Sequence, residues 1–317
     1  MSRRLRRAGF PRRRSAGRLA LALVAAAAVA LGALQLTGAF SGTAPRAAPR
    51  AVRPPVSGHP AARRVPPPLT AAAAAAAAAQ SAAAAWITSQ VDSAAIIGCD
   101  PAMCAALQAH GVSPSRLVAL GSTTAAVLKT DVIATLSSAG RSLPDQYAPA
   151  VLASFGSGGS RIEIRAVAPG GAASYQSALR ADLNARESAG SQLLSNPRIR
   201  FSVADATQLR AGEVDSRLLA TLAALSSQFT LRVMAFGDSS PGAPLFFREV
   251  TVASYGGRNG AARLAAALAM VKAQGSPYLP AHSAIVHLDT GQPALVIEFA
   301  APSPLGLLTT VLTADVR

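Results

Sequence analysis

The hydrophobic and polar positions fall into three regimes. An uncharged run rich in alanine and leucine extends from Leu19 to Phe40. As a helix its apolar heart, Leu19–Leu36, would span about 27 Å and the whole run about 33 Å, which brackets the hydrocarbon core of a bilayer. Residues 41–70 mix proline, arginine and small side chains with almost no large apolar groups. Such a segment buries too little surface to offset its ordering entropy, so a disordered linker is expected. The alanine run Ala71–Ala79, carried through Gln80 and Ser81 to Ala85, is the strongest helix former available, and the folded domain is expected to begin at Trp86. From Asp92 onward, short β-branched runs alternate with helical stripes, the pattern of α/β architecture.

The stripes predict particular elements. Residues 94–99, 117–120 and 131–136 read as strands and 101–110 as a helix closed by Gly111, which together make a small lobe over 86–150. A main lobe over 151–317 follows. Strands are expected at 162–168, 198–204 and 231–236, with helices at 172–189 and along the face marked by Val214, Leu218, Leu222 and Leu225. This alternation implies parallel pairing with right-handed crossovers. A strand at 246–254 and a helix at 258–274 come next, and residues 283–288 and 294–300 flank Asp289-Thr290-Gly291-Gln292 as an antiparallel hairpin. The fold class expected is α/β: a mixed, mostly parallel, Rossmann-like sheet with helices on both faces, preceded by one transmembrane helix and a linker. No internal repeat is evident.

Charge changes the picture through its position. The 317 residues carry 30 Lys+Arg and 15 Asp+Glu, a formal +15. The first acidic residue is Asp92, so residues 1–91 hold 13 arginines and no carboxylate, while the remainder is nearly balanced. The basic character therefore belongs to a tail, and nucleic-acid binding by a folded surface is set aside. Eight arginines within residues 1–18, on one side only of the 19–40 run, place the N-terminus in the cytoplasm and the rest outside. A retained single-pass anchor in the cell membrane is the reading adopted. Its alternative is secretion after cleavage of a signal peptide at Gly38–Ala39 or Thr43–Ala44.

Candidate chemistry is sparse. Cys99 and Cys104, in Cys-Asp-Pro-Ala-Met-Cys, are expected to form a structural disulfide in an oxidising compartment, with Asp100 as a helix N-cap. Gly256, Gly257 and Gly260, between a strand and a helix, form a candidate anion-binding loop through backbone N–H groups and the helix dipole. His282 and His287 lie five apart on a predicted strand and point to opposite faces. Asp182 and Arg186 read as a surface i,i+4 pair, and Glu213 and Asp215 as partners of a helix dipole. Glu163, Glu249 and Glu298 sit in strands, where any two of them meeting would make an acid–base couple. No complete catalytic set, metal site or cofactor motif is assigned.

Cys-Asp-Pro-Ala-Met-Cys (99–104), Ala-Ser-Phe-Gly-Ser-Gly (153–158), Gly-Glu-Val-Asp-Ser-Arg-Leu-Leu (212–219) and Ala-Pro-Ser-Pro-Leu-Gly-Leu-Leu (301–308) together resemble uncharacterised membrane-anchored proteins of high-GC actinobacteria. That resemblance implies no activity. Residues 86–136 are similar to the extracytoplasmic α/β end-domain of some actinobacterial membrane glycosyltransferases. Val-Asp-Ser-Arg-Leu-Leu followed by 231–236 is similar to the approach to the active site in D-alanyl-D-alanine-carboxypeptidase-like proteins. Their zinc-binding His is replaced here by Gly237-Asp238-Ser239-Ser240-Pro241. The function expected is binding or protein interaction at the cell envelope, with an envelope protein or glycan as partner and the membrane contacted through 19–40. The alternative is a cell-wall or glycan-processing hydrolase, or its degenerate relative.

Overall fold

The computed structural model describes residues 70–121, 123–136, 142–237, 240–242, 246–256 and 259–308. The basic tail, the 19–40 run and the linker up to residue 69 lie outside them. The first element is helix α1 (Ala71–Gln90), whose N-terminus is capped by the Thr70 hydroxyl, accepting from Ala73 N–H at 3.3 Å. It is long and apolar enough to cross a membrane, yet Ala79, Ala83, Ala84, Trp86 and Ile87 are buried in the core of the first sheet. The helix expected over the alanine run 71–85 is present and continues without a break through Trp86 to Gln90. Nothing between Ala71 and Gln90 breaks it, and its alanines are small enough to lie close against the sheet.

Two five-stranded mixed sheets follow. The first is built from β1 (Ile97–Cys99), α2 (Pro101–Ala109), β2 (Leu117–Ala119), α3 (Thr124–Val127), β3 (Val132–Leu136), α4 (Ser142–Tyr147), β4 (Ala150–Phe155) and β5 (Ile162–Ala166), in strand order β2-β1-β3-β5-β4. β1 is parallel to β2 and β3, while β5 is antiparallel to both its neighbours. Helix α5 (Gly171–Leu194) leads to the second sheet. That sheet comprises β6 (Ile199–Arg200), α6 (Val203–Arg210), α7 (Ser216–Gln228), β7 (Leu231–Gly237), β8 (Glu249–Ser254), α8 (Gly260–Lys272), β9 (His282–His287) and β10 (Pro293–Glu298), in strand order β6-β7-β8-β10-β9. Only β6 and β7 pair in parallel there; the other described pairs are antiparallel.

The mostly parallel sheet is therefore corrected to two mixed ones. The strand at 162–166 pairs with β3 and β4, so 150–166 completes the first sheet instead of opening the second. The strand expected over 198–204 stops at Arg200. Ser202 and Asp205 form a reciprocal capping box that starts α6 at Val203. The i,i+4 pair Asp182–Arg186, expected on the surface, is buried at 1% and 2% exposure. Both sheets also end in the same unit, a strand, a helix, a parallel strand and a hairpin return between the two. These are β3-α4-β4-β5 and β8-α8-β9-β10.

Alternation along the strands places two large cores, one per sheet, with a small third cluster of Val127, Ile133 and Ala148 on the opposite face of the first sheet. Ile97, Val132, Ala134, Ile162 and Ile164 face α1 and α2. In the second sheet Leu231, Val233, Val250, Val252, Leu295 and Ile297 face Leu193 of α5, Leu209 of α6, the α7 leucines 218, 219, 222 and 225, and Leu264, Ala267 and Val271 of α8. The helical stripe read from sequence is this contact.

Candidate functional site

The segment that follows β10, from Phe299 to Gly306, is held by three arginines and two aspartates. Arg248 donates through Nη1 to the Phe299 carbonyl (2.9 Å) and through Nη2 to Gln90 Oε1 (3.3 Å) and Ser240 Oγ (2.9 Å). Arg217 grips Asp215 in a bidentate pair, Nε to Oδ1 at 3.0 Å and Nη2 to Oδ2 at 2.7 Å, and also donates to the Ala300 carbonyl at 2.9 Å. Asp182 accepts from Arg186 Nε (2.8 Å), Ser216 Oγ (3.2 Å) and the Gly306 N–H (2.9 Å). Arg186 in turn donates to the Gly212 carbonyl and stacks over Phe246 at 4.0 Å. The quoted motifs 212–219 and 301–308 thus meet each other in this clamp.

The electrostatics are those of groups already paired. Burial alone would raise the Asp215 carboxyl, but the hydrogen bonds and charge of Arg217, with the Ser303 hydroxyl, hold it below the usual carboxylate range. Burial lowers the Arg186 guanidinium against the opposing pull of Asp182. Burial and the Asp182 charge raise the Tyr175 phenol, with Arg186 acting the other way. Among the described residues no buried side-chain N or O atom lacks a partner. Both Asp215 oxygens are engaged by Arg217, which also donates to the Ala300 carbonyl and so ties the segment after β10 to α7.

The second sheet presents a different surface. All four of its helices pack on one side, and the residues alternating to the other side line an outer face. Gly237, Glu249, Glu298 and His282 form one row across β7, β8, β10 and β9, with Glu298 directly opposite both Glu249 and His282. The Glu249 carboxylate lies over Gly237, where a Cβ would stand 3.3 Å from Oε1. The next row is Ala235, Thr251, Val296 and Ala284. Beyond it Arg232 pairs with Ala253, and Arg200 pairs in parallel with Arg232. Both guanidinium groups lean on the Tyr255 ring, at 5.3 Å for Arg200 and 5.0 Å for Arg232. Met234, Tyr255 and Val286 reach the surface here with 38%, 36% and 36% exposure. The face is thus acidic at one end, small and apolar in the middle, and basic at the other.

The residues singled out in the sequence are distributed as follows. Cys99 and Cys104 are joined in a disulfide with a Cα–Cα distance of 5.3 Å, at the junction of β1 and α2, and Asp100 caps α2 by accepting from Met103 N–H. In the candidate anion loop Gly256 takes φ +72°, Asn259 is left-handed, Gly260 opens α8, and Arg263 donates to the Gly256 carbonyl. Gly257 lies outside the described residues, as does Asp238. Glu163 is claimed by Arg165 (2.8 Å) and Arg161 (3.4 Å). His110 shares a 3.1 Å hydrogen bond with Ser81. Among the described residues no group of three or more His, Cys, Asp or Glu is placed to hold a metal ion. A cavity of about 170 Å³ between α7 and α8, lined by Ala220, Ala224, Met270 and Tyr278 among others, is below the range usual for ligand pockets.

Sequence reasoning missed Arg200, Arg232 and Tyr255. Their signal is present in the alternation Leu231-Arg232-Val233, which turns Arg232 away from the core, but their meeting depends on strand pairing. No family model, curated protein or solved structure matches the chain.

Proposed function

We propose that the chain is a single-pass membrane protein, allied to the membrane-anchored proteins of high-GC actinobacteria that its motifs resemble. Residues 19–40 form the anchor, the basic tail stays in the cytoplasm, and the folded unit lies outside. There the outer face of the second sheet binds a component of the cell envelope. The observation that carries this reading is the one-sided packing of that sheet. Its helices share one core, and Met234, Tyr255 and Val286 stand exposed on the other face. The ionisable groups that suggested catalysis at Asp215 and Glu163 are engaged in internal pairs, and the Cys99–Cys104 bridge suits an oxidising compartment.

Two measurements test it. A reporter active only outside the membrane, fused after Arg317, is expected to be active. The double substitution Met234→Glu/Val286→Glu, at exposed positions, is expected to leave folding intact and to abolish retention of the protein on isolated envelope material. A silent external reporter, or undiminished retention, sinks the proposal.

The row Glu249–Glu298–His282 favours a second reading, a glycan-processing hydrolase. Paired carboxylates across a glycosidic bond are the usual machinery of that reaction. Under this reading, Glu298→Gln would remove a hydrolytic activity of the purified protein toward cell-wall glycan while leaving its stability unchanged. Stoichiometric zinc in the purified protein would point instead to a metal-dependent hydrolase.

A further inference from the structure

We infer that the Arg200–Tyr255–Arg232 stack is the recognition element of the outer face, and that its ligand is a phosphate-bearing polyanion of the envelope. The inference rests on the envelope-facing binding role proposed above and names its ligand class. Arg200 and Arg232 stand directly opposite each other in the β6–β7 register. Like charges so placed repel, and among the described residues neither makes an ion pair. Both side chains are exposed, so no burial explains the arrangement. Each guanidinium instead lies over the same tyrosine ring, a contact that restrains it while the side chain stays exposed. The two charges stand no more than about 10 Å apart.

That geometry selects the ligand. A planar guanidinium offers paired donors that match the oxygens of a phosphate. Both arginines are exposed, and at an exposed site a single ion pair contributes about 1 kcal/mol or less. Useful affinity therefore requires a repeating anion that engages both arginines at once. Both guanidinium groups lie within 5.3 Å of the same ring centroid, so the ring serves the cations and the charge of the polymer is the feature read. Along the same face the carboxylate row at Glu249 and Glu298 repels a polyanion, so the chain is expected to run off the β6 edge.

The test uses the full chain in nanodiscs of zwitterionic lipid, with linear inorganic polyphosphate as the probe. Arg200→Ala/Arg232→Ala is expected to weaken binding at least tenfold and to reduce the dependence of log K on log salt by about 1.4, two phosphate contacts on a single strand. Arg180→Ala/Arg210→Ala, exposed positions with the same loss of charge, is expected to change binding less than twofold. Arg200→Lys/Arg232→Lys, which keeps charge but not the planar fork, is expected to fall near the alanine variant. Equal losses in the patch and control variants would reduce the effect to net charge and overturn the inference. So would equal binding of poly-glutamate, or of vesicles containing phosphatidylglycerol, with the same dependence on Arg200 and Arg232. Failure of this inference with the external reporter still active leaves the envelope-binding reading standing; a silent reporter removes that reading whatever polyphosphate does.

Discussion

At Asp215 the chain places a carboxylate at 1% exposure and satisfies it with Arg217 on both oxygens. Replacing a buried pair by apolar groups is often neutral, but removing one partner strands the other. Asp215→Asn is therefore expected to cost about 3–5 kcal/mol, measured by urea denaturation at pH 7. The pH dependence has a definite sign. The folded-state pKa of Asp215 lies below its unfolded value of about 3.9, so its contribution is complete above that value and is lost as pH falls below about 4. Wild type is expected to lose stability over that acid range, and Asp215→Asn to show a shallower decline there. At the same scale an i,i+4 Asp–Arg pair has one sequence appearance in solvent and in a core. That is why the burial of Asp182 and Arg186 could not be read ahead of their contacts with Ser216 and Gly306.

Elements whose cause is local were legible. The Asp100 cap, the Gly291 hairpin turn and the leucine face of α7 each depend on residues within a few positions of one another. Pairing was not legible in the same way. Both partners of β5 precede it in sequence, and one of them, β3, lies beyond α4 and β4, while the placement of Glu298 opposite Glu249 follows from a register spanning 49 positions. β6 shows competition between signals: the apolar run was real, but the Ser202–Asp205 capping box ended the strand first. Two predictions belong here. In α5 a Cβ at Gly190 would stand 2.4 Å from the Leu209 carbonyl oxygen of α6. Gly190→Ala is thus expected to destabilise by about 1–3 kcal/mol through overpacking, read as a lowered urea midpoint. The Cys99–Cys104 bridge closes a short loop, so Cys99→Ser/Cys104→Ser is expected to cost about 2 kcal/mol. Thermal melting with and without reductant should show wild type falling to the level of the variant.

Across the whole folded unit the two cores meet at a seam. Asp92 N–H donates to the Ala301 carbonyl (3.0 Å), Ala301 N–H donates to the Gln90 carbonyl (2.7 Å), and Arg248 stacks on Trp86 at 5.9 Å. Trp86 reports on the first core and the clamp belongs to the second, so fluorescence and far-ultraviolet circular dichroism are expected to follow one coincident unfolding transition. Arg217→Ala is expected to separate the two curves, because it frees the Ala300 carbonyl and leaves Asp215 unpaired; coincident curves in that variant would show the seam holding without the clamp.

The entry of α1 has a mechanical corollary. Tension applied at residue 70 would travel along an unbroken helix to Val91, which bridges in parallel to Ala301. A tug from upstream would arrive at the place where both halves are stitched together, loading several hydrogen bonds in shear at once instead of peeling one strand from an edge.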